Sequence, residues 1–474
     1  MTKLKFETTL PVSQQTLYDY HASGAALDRL NPPWETVEVT QWRAGEQRAR
    51  LPIAEQYGDI SLGAEVHLRL NVGPFKQVWV AKHIEHTEPT GFTDRQEKGP
   101  FKTFVHQHRF VEVDAETTML RDELDFQLPF APISALAKGF VMGKLSAMFA
   151  YRHARTKLDL QRSHRCSPEL KKRVLISGAS GLVGQALSSY LRSIGHHVAH
   201  LVRREPRNAN EIQWDIRTER LSSADIEGFD AVVHLAGESI DGRWTRNKKR
   251  KIRESRTRGT ALLARALSRC ERPPSVLVSA SGISAYQDTG AQAVDENGPL
   301  AADFLGTVCA EWEVAASPAA AAGIRVVHPR IGLVLSRKGG ALARMLLPFQ
   351  LGLGGPIGHA QQWMSWIALE DLIGLLCEAI FRPDVQGVFN AVAPNPVQNR
   401  EFVRTLGSVL NRPAIAPLPS FVVRTLFGEM GETLLLNGLN VRSTQPLVKE
   451  YPWCFTELES ALRFELFGEL DGAN

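Results

Sequence analysis

The clearest chemistry in this 474-residue chain lies in Ser177-Gly178-Ala179-Ser180-Gly181-Leu182-Val183-Gly184, between the apolar run Val174-Leu175-Ile176 and the helix-forming stretch Gln185 to Leu191. Glycines at such spacing permit a tight turn, let backbone N–H groups approach a phosphate, and allow a helix to pack closely on a strand. A pyrophosphate bound there rests on the positive end of the helix dipole. Gly178, Ser180, Gly181, Leu182, Val183 and Gly184 are therefore the candidate contacts for a dinucleotide. The end of the next apolar run, Val198 to Val202, discriminates between cofactors. An acidic residue there bonds a ribose 2′-hydroxyl, but this chain has Arg203-Arg204. A guanidinium matches a 2′-phosphate in charge and geometry. The expected cofactor is NADP, with Arg203 as its contact and Arg204 as a bystander.

Two kinds of element surround this loop. From Val174 onward, the apolar runs Val174–Ile176, Val198–Val202, Ala231–Leu235, Val276–Val278 and Arg325–Val327 alternate with helical stretches. Near-continuous apolar strands separated by helices imply a parallel sheet buried on both faces. Residues 173–412 are read as an α/β, doubly wound Rossmann domain and 413–474 as a small C-terminal domain. Residues 1–160 differ. A strand, Leu4 to Val12, precedes a helical stretch with Leu17, Tyr20, Leu27 and Leu30 at near-helical spacing and Ser13 as N-cap. The turn Asn31-Pro32-Pro33-Trp34 ends it. Alternating apolar and polar residues then run from Val37 to Leu128, before a long helical pattern from Ile133 to about Leu160. This order describes an α+β domain in which an antiparallel sheet grips a helix, often around a cavity, and an apolar ligand is expected there. The polar segment 161–172 reads as a linker.

Composition narrows the function classes. Hydrophobic residues make up 43% and charged residues 22%, and 55 basic against 51 acidic side chains leave a formal charge of +4. That balance argues against a general polyanion binder. Five scattered cysteines without a Cys-x-x-Cys pair argue against a disulfide framework or a zinc site. With no secretion signal and no apolar run long enough to cross a bilayer, a cytoplasmic protein without a membrane span is expected.

Beyond the glycine loop, further motifs resemble one family. These are His234-Leu235-Ala236-Gly237-Glu238, Arg243-Trp244-Thr245, Ser255-Arg256, Trp312-Glu313, Arg330-Ile331-Gly332, the segment Leu351 to Gly358 and Trp363 to Ile367. Ala393 to Val397, Asn399 to Phe402, Arg412-Pro413 and Gly428 to Met430 continue the likeness to about residue 467. The chain from about residue 172 resembles the atypical extended short-chain dehydrogenases of the NAD-dependent epimerase/dehydratase type, with their small C-terminal domain. The first 160 residues resemble the START-related helix-grip (SRPBCC) domains, through the order of elements and the Leu30 to Trp34 turn. The resemblance implies that Leu235, Ala236 and Gly237 also hold the nucleotide, that Arg256 reaches its phosphates, and that the main chain near Val334 touches the nicotinamide side.

Ordinary members of that family use a tyrosine four residues before a lysine, whose charge lowers the phenol pKa for proton exchange during hydride transfer. None of the seven tyrosines here has a lysine at that distance, and Leu305 and Cys309 stand where the pair would fall. Ser281, just after the run Val276 to Val278, occupies the place of a substrate-bonding serine. Tyr286 is the nearest phenol, one residue later than the family's double tyrosine, with Ala285 in the expected position; Ala368 stands where relatives carry a histidine. Ser281 and Tyr286 are the candidate catalytic residues. The chain is then either an NADP-dependent oxidoreductase or epimerase acting on a small molecule, or a non-catalytic NADP-binding sensor or adaptor whose N-terminal domain holds an apolar ligand.

Three other features read more plainly. The stretch Arg243 to Arg258 holds nine basic residues and one acid, a solvated helix face rather than a nucleic-acid surface in a fold without a stacking platform. His106 and His108 share one strand face, a spacing that could suit a metal, but no third ligand is evident, so they read as ordinary sheet histidines and no metal is expected. The glycine-rich Leu351 to Gly358, with tryptophans nearby, reads either as a substrate lid or as core packing.

Overall fold

The computed structural model describes residues 1–45, 58–72, 75–129, 134–166 and 171–470. Ile133, where the long helix was expected to begin, and Pro168 in the expected linker lie outside the described residues. The chain divides into two compact units, Met1–Ser167 with Ser189–His196 and Leu466–Asn474, and Pro168–Ser188 with His197–Glu465.

The first unit contains β1 (Thr2–Leu10), α1 (Gln14–Ala22), α2 (Ala26–Leu30), β2 (Val37–Arg43), β3 (Glu65–Val72), β4 (Phe75–Thr87), β5 (Gly91–Lys98), β6 (Thr103–Asp114), β7 (Thr117–Gln127) and α3 (Ser134–Cys166). Its strands form a seven-stranded antiparallel sheet in the order β1-β7-β6-β5-β4-β3-β2. The alternation in sequence is the alternation in space: along β7, Thr118, Leu120, Asp122, Leu124 and Phe126 are buried and their neighbours half-buried. Against this face lies α3, whose Phe149 stacks on Phe6 with ring centroids 5.1 Å apart. Phe104, Leu124, Phe126 and Leu145 complete that core. This is the helix-grip arrangement. Ser13 caps α1 by accepting from the Thr16 N–H at 3.3 Å. The helical stretch read as one element is two, because Ser23 leaves the helical conformation (ψ 131°) just before Gly24.

The second unit contains β8 (Arg173–Ser177), α4 (Leu182–Ser193, of which Ser189–Ser193 counts with the first unit), β9 (His197–Val202), β10 (Glu211–Gln213), β11 (Ala231–His234), α5 (Arg246–Leu267), β12 (Val276–Ser279), α6 (Phe304–Val314), β13 (Arg325–Ile331), α7 (Gly340–Gln350), α8 (Leu369–Phe381) and β14 (Gly387–Ala391). All of these strands pair in parallel, in the order β10-β9-β8-β11-β12-β13-β14, and Ser281–Gly282 adds a short pairing to β13. Val174, Leu175, Ile176, Val232, Val233, Val276, Leu277 and Val278 are fully buried, as a sheet covered on both faces requires. The order reverses beside β8, so the crevice beyond the carboxyl ends of β8 and β11 is where such a sheet takes a ligand. The strands β10 and β14 escape a search for apolar runs. One is three residues long with polar ends, and the other is Gly-Val-Phe-Asn-Ala.

The glycine-rich segment after α7 is not a free lid. Gly354 O accepts from Ala416 N at 3.0 Å, Pro356 O from Leu418 N at 2.8 Å, and Leu418 O from Gly358 N at 2.9 Å. A Cβ on Gly355 would run into the carbonyl of Ala416, and one on Gly354 into the Phe349 ring. These glycines answer a close approach of two chain segments, the packing alternative.

Candidate cofactor and substrate site

Gly178 stands where the loop leaves β8, at φ +72°, and a Cβ there would lie 2.7 Å from the backbone of Leu235 and Ala236. The chains leaving β8 and β11 therefore pass too close for any side chain. Two further contacts tie them: Leu235 N donates to Ser177 O at 3.1 Å, and Ser177 Oγ shares a hydrogen bond with His234 Nδ1 at 2.6 Å. Burial, with the charge of Arg256, pushes the His234 imidazole down to about 4, so it is neutral in this bond. The loop closes as Gly181 N donates to Gly178 O at 2.9 Å, and a Cβ on Gly184 would collide with that same carbonyl. Ser180 and Gly181 remain exposed at the N-terminus of α4, whose first turn holds no acid to compete for an anion. Across the crevice, Gly339 lies 3.7 Å (measured from its would-be Cβ) from the Leu182 side chain, and Gly340 equally close to Val334 O. Val334 thereby joins the wall that faces Leu182.

The two arginines after β9 are not equivalent. Arg204 grips Glu211 with both arms, at 2.7 and 2.5 Å, and this pairing holds the half-buried Glu211 carboxyl at about 2. Arg203 is exposed and makes no ion pair or hydrogen bond among the described residues; Lys248 first, and Lys251 and Arg203 after it, hold the Glu238 carboxyl below the usual range. Glu238 itself pairs with Lys248 at 2.8 Å, and its N–H donates to Ser255 Oγ. Arg256 packs behind Gly237, donating to Glu238 O at 2.9 Å, with its guanidinium 5.0 Å over the Trp312 ring. The basic run is largely spent in such pairs, Lys249 with Glu429 and Arg253 with Glu311 among them.

Ser281 and Tyr286 come together through residues to which the sequence assigned no role. Ser281 Oγ donates to Glu313 Oε1 at 2.7 Å; Glu313 takes both arms of Arg330 at 2.8 Å; Arg330 also donates to the Tyr286 hydroxyl at 2.8 Å; and that hydroxyl donates to Asn390 Oδ1 at 2.7 Å. The Arg330 and Ser281 contacts hold Glu313 below the usual carboxylate range against the opposing effect of burial. Burial pushes the Tyr286 phenol up despite Arg330. Tyr286 is 2% exposed and Ser281 4%, and both hydroxyls are engaged by partners within the chain. Cys309 and Leu305 are buried on α6, and burial pushes the Cys309 thiol up to about 11. Glu313 and Arg330 stand among the motifs that carry the family resemblance, but only the fold shows that they meet.

A glycine loop at the switch point of a doubly wound sheet defines a dinucleotide-binding domain, here in one chain with a helix-grip domain. Comparison with known proteins agrees. Residues 174–391 match the NAD dependent epimerase/dehydratase family, 10–151 the polyketide cyclase / dehydrase and lipid transport family, and 418–465 a domain of unknown function, DUF1731. The chain is 40% identical over 295 residues to the human epimerase family protein SDR39U1, covering 61% of this chain and 98% of the relative. A crystal structure of that human protein with NADPH is 37% identical, with a TM-score of 0.57, over 62% of this chain and 99% of the other. A nucleoside-diphosphate sugar epimerase from Corynebacterium glutamicum is 29% identical, with a TM-score of 0.78, over 99% of this chain and 91% of the other. The chain belongs to the NAD-dependent epimerase/dehydratase family, in its SDR39U1-like branch, with a DUF1731 C-terminus and a polyketide-cyclase-type domain in front. No helix among the described residues is long and apolar enough to cross a membrane.

Proposed function

We propose that the second unit binds NADP(H) and acts as an oxidoreductase or epimerase on a small molecule, while the first unit holds an apolar ligand. The observation that carries the cofactor assignment is the division of labour after β9: Glu211 occupies Arg204 and leaves Arg203 for a 2′-phosphate. Gly178, Ser180, Gly181, Leu182, Val183 and Gly184 hold the pyrophosphate, Leu235 to Gly237 line the nucleotide, Arg256 backs that wall, and Val334 borders the nicotinamide end. The NADPH-bound human relative supports the same choice. The lipid-transport description of the matching family supports an apolar ligand for the first unit.

NADP(H) supplies hydride chemistry when bound; the chain supplies orientation and proton handling. Ser281 donates its O–H hydrogen bond to Glu313, which Arg330 keeps ionised. What Ser281 offers a substrate is thus an oxygen lone pair, suited to accept from and align a substrate hydroxyl. Arg330 and Tyr286 hold Glu313 and Asn390 in place. Sugars and other hydroxy or carbonyl compounds are the substrates to screen, in line with the sugar epimerase likeness.

The commitment of both hydroxyls to internal partners, with no tyrosine–lysine pair, favours a second reading: a non-catalytic NADP-binding sensor or adaptor. Turnover separates the two. The first reading expects NADPH- or NADP-dependent conversion of a hydroxy or carbonyl compound, cut at least tenfold in kcat by Ser281→Ala. Tight cofactor binding without turnover across such a screen would favour the second. For the cofactor, Arg203→Asp is expected to lower the NADPH:NADH affinity ratio; an unchanged ratio overturns the role of Arg203.

A further inference from the structure

The helix-grip unit buries a cluster of histidines and carboxylates beside Phe92, Phe149 and Leu124. Two cross-strand rows build it: His83 on β4 pairs in register with Asp94 on β5, which pairs with His106 on β6; one step along, Phe92 pairs with His108, which pairs with Asp122 on β7. His106 and His108 stand two residues apart, so both imidazoles point to the covered face. Their ring centroids lie 3.8 Å apart. The partner missing from their local spacing comes from the neighbouring strand.

We propose that Asp94, His106 and His108 form a binding site for a divalent first-row transition metal of the zinc class. One ligand atom from each of the three lies within 4.8 Å of the others. Asp94 Oδ2 is 3.4 Å from His106 Nδ1 and 3.8 Å from His108 Nε2. Ligands about 2.0–2.2 Å from a tetrahedral metal stand roughly 3.3–3.6 Å apart, so only a small adjustment brings these three around one ion. Behind the rings stands Asp122 Oδ1, hydrogen-bonded to His106 Nε2 at 3.2 Å; His108 Nδ1 lies 2.8 Å from the same oxygen but outside hydrogen-bond geometry. A carboxylate behind each ligating imidazole is how metal-binding histidines are oriented and made more basic. Asp122 Oδ2 is fixed in turn by His153 Nε2 at 2.9 Å, and His153 Nδ1 by Thr8 Oγ1 at 2.8 Å.

The surroundings fit the same assignment. The Asp94 and His108 side chains keep 14% and 13% of their surface, against 5% and 4% for His106 and Asp122, so they are the more accessible members of the cluster. His83, in register with Asp94, has its buried Nδ1 without a hydrogen-bond partner. Among other charged groups, Arg152 from α3 sits over Phe149 at 5.0 Å, and His21 from α1 lies 6.1 Å from His108, its Nδ1 bonded to Leu17 O. Two imidazoles and one carboxylate leave room for water or a further ligand, the donor set of an open zinc or iron(II) site.

The test is a titration of the chelator-stripped full chain with Co2+ and then Zn2+, followed by absorption spectroscopy and metal analysis. One Co2+ per chain is expected, with visible ligand-field bands of low-coordinate geometry, displaced by Zn2+. Asp94→Asn and His108→Gln are each expected to weaken binding by more than ~100-fold, and Asp122→Asn by the ~10–100-fold typical of a residue behind the ligands. His197→Gln, an exposed histidine on β9, is expected to leave binding unchanged. No stoichiometric metal, or equal binding by Asp94→Asn and His108→Gln, overturns the site. If those variants fail to fold, X-ray absorption of the Zn2+-loaded wild type decides. Two imidazoles with oxygen support the assignment; a sulfur shell, or oxygen alone, overturns it.

Discussion

Arg204 and Glu211 form a two-armed ion pair across the β9–β10 edge of the parallel sheet, and that pair decides which arginine is left to read the cofactor. With Arg204 at the surface, the pair itself is worth little stability. Its consequence is selectivity. Arg204→Ala is expected to leave the NADPH:NADH affinity ratio within about twofold of wild type. Arg203→Asp should lower it by roughly 10–100-fold, the range of a charge-assisted hydrogen bond lost and a repulsion gained. Competitive fluorescence titration with the two cofactors reads both variants, and equal losses would show that the arginines share the phosphate.

Two glycines of the loop separate folding from binding. Gly178 sits at φ +72° against the backbone of Leu235 and Ala236, whereas a Cβ on Gly181 meets only Gly178 O, at 3.3 Å. Gly178→Ala is expected to lower stability by more than the ~1–2 kcal/mol of a left-handed alanine and to abolish cofactor binding. Gly181→Ala is expected to keep a Tm near wild type while weakening NADPH binding at least tenfold. Thermal unfolding with and without NADPH measures both; a large Tm loss for Gly181→Ala would contradict the account.

Arg330 and Glu313 are a buried pair, with side chains 6% and 14% exposed. Arg330→Met leaves the Glu313 carboxylate, the Ser281 hydroxyl and the Tyr286 oxygen without their organiser. The expected cost is about 3–5 kcal/mol. Adding Glu313→Gln should recover part of it, because the stranded charge is then gone. Chemical denaturation of the two single variants and the double gives the coupling. Simple additivity would mean the pair is not what holds this network.

Acidification should destabilise the second unit through His234. Its folded imidazole titrates at about 4 against 6.5 when free, burial being the main cause. Above 6.5 both states are neutral and His234 adds nothing to the pH dependence. Between about 6.5 and 4 the unfolded chain takes up a proton that the folded one refuses, so stability falls as pH falls, by up to about 3 kcal/mol. His234→Gln is expected to flatten that slope in urea midpoints measured across the window; parallel slopes would mean His234 is not the group responsible.

Much of the fold was legible because its signals are local. The apolar runs that became β8, β9, β11, β12 and β13 need no distant partner to be recognised, and the alternation in β7 states its own buried face. The glycine loop announces itself for the same reason. What stayed hidden depends on separation along the chain. Ser281 meets Glu313 across 32 residues and Tyr286 meets Asn390 across 104. His106 meets Asp94 only because β5 and β6 pair in that register. The single helix read between Leu17 and Leu30 failed where a Ser23-Gly24 break overrides periodicity. The glycines of Leu351 to Gly358 could not be told from a lid until their partner, the chain from Ala414 to Leu418, was in place.

The most direct measurement is a calorimetric titration of the purified full chain with NADPH and, separately, with NADH. The account predicts saturable binding of NADPH at one site per chain and binding of NADH weaker by at least tenfold. Equal affinity for the two would contradict the role of Arg203, and binding of neither would contradict the cofactor site itself.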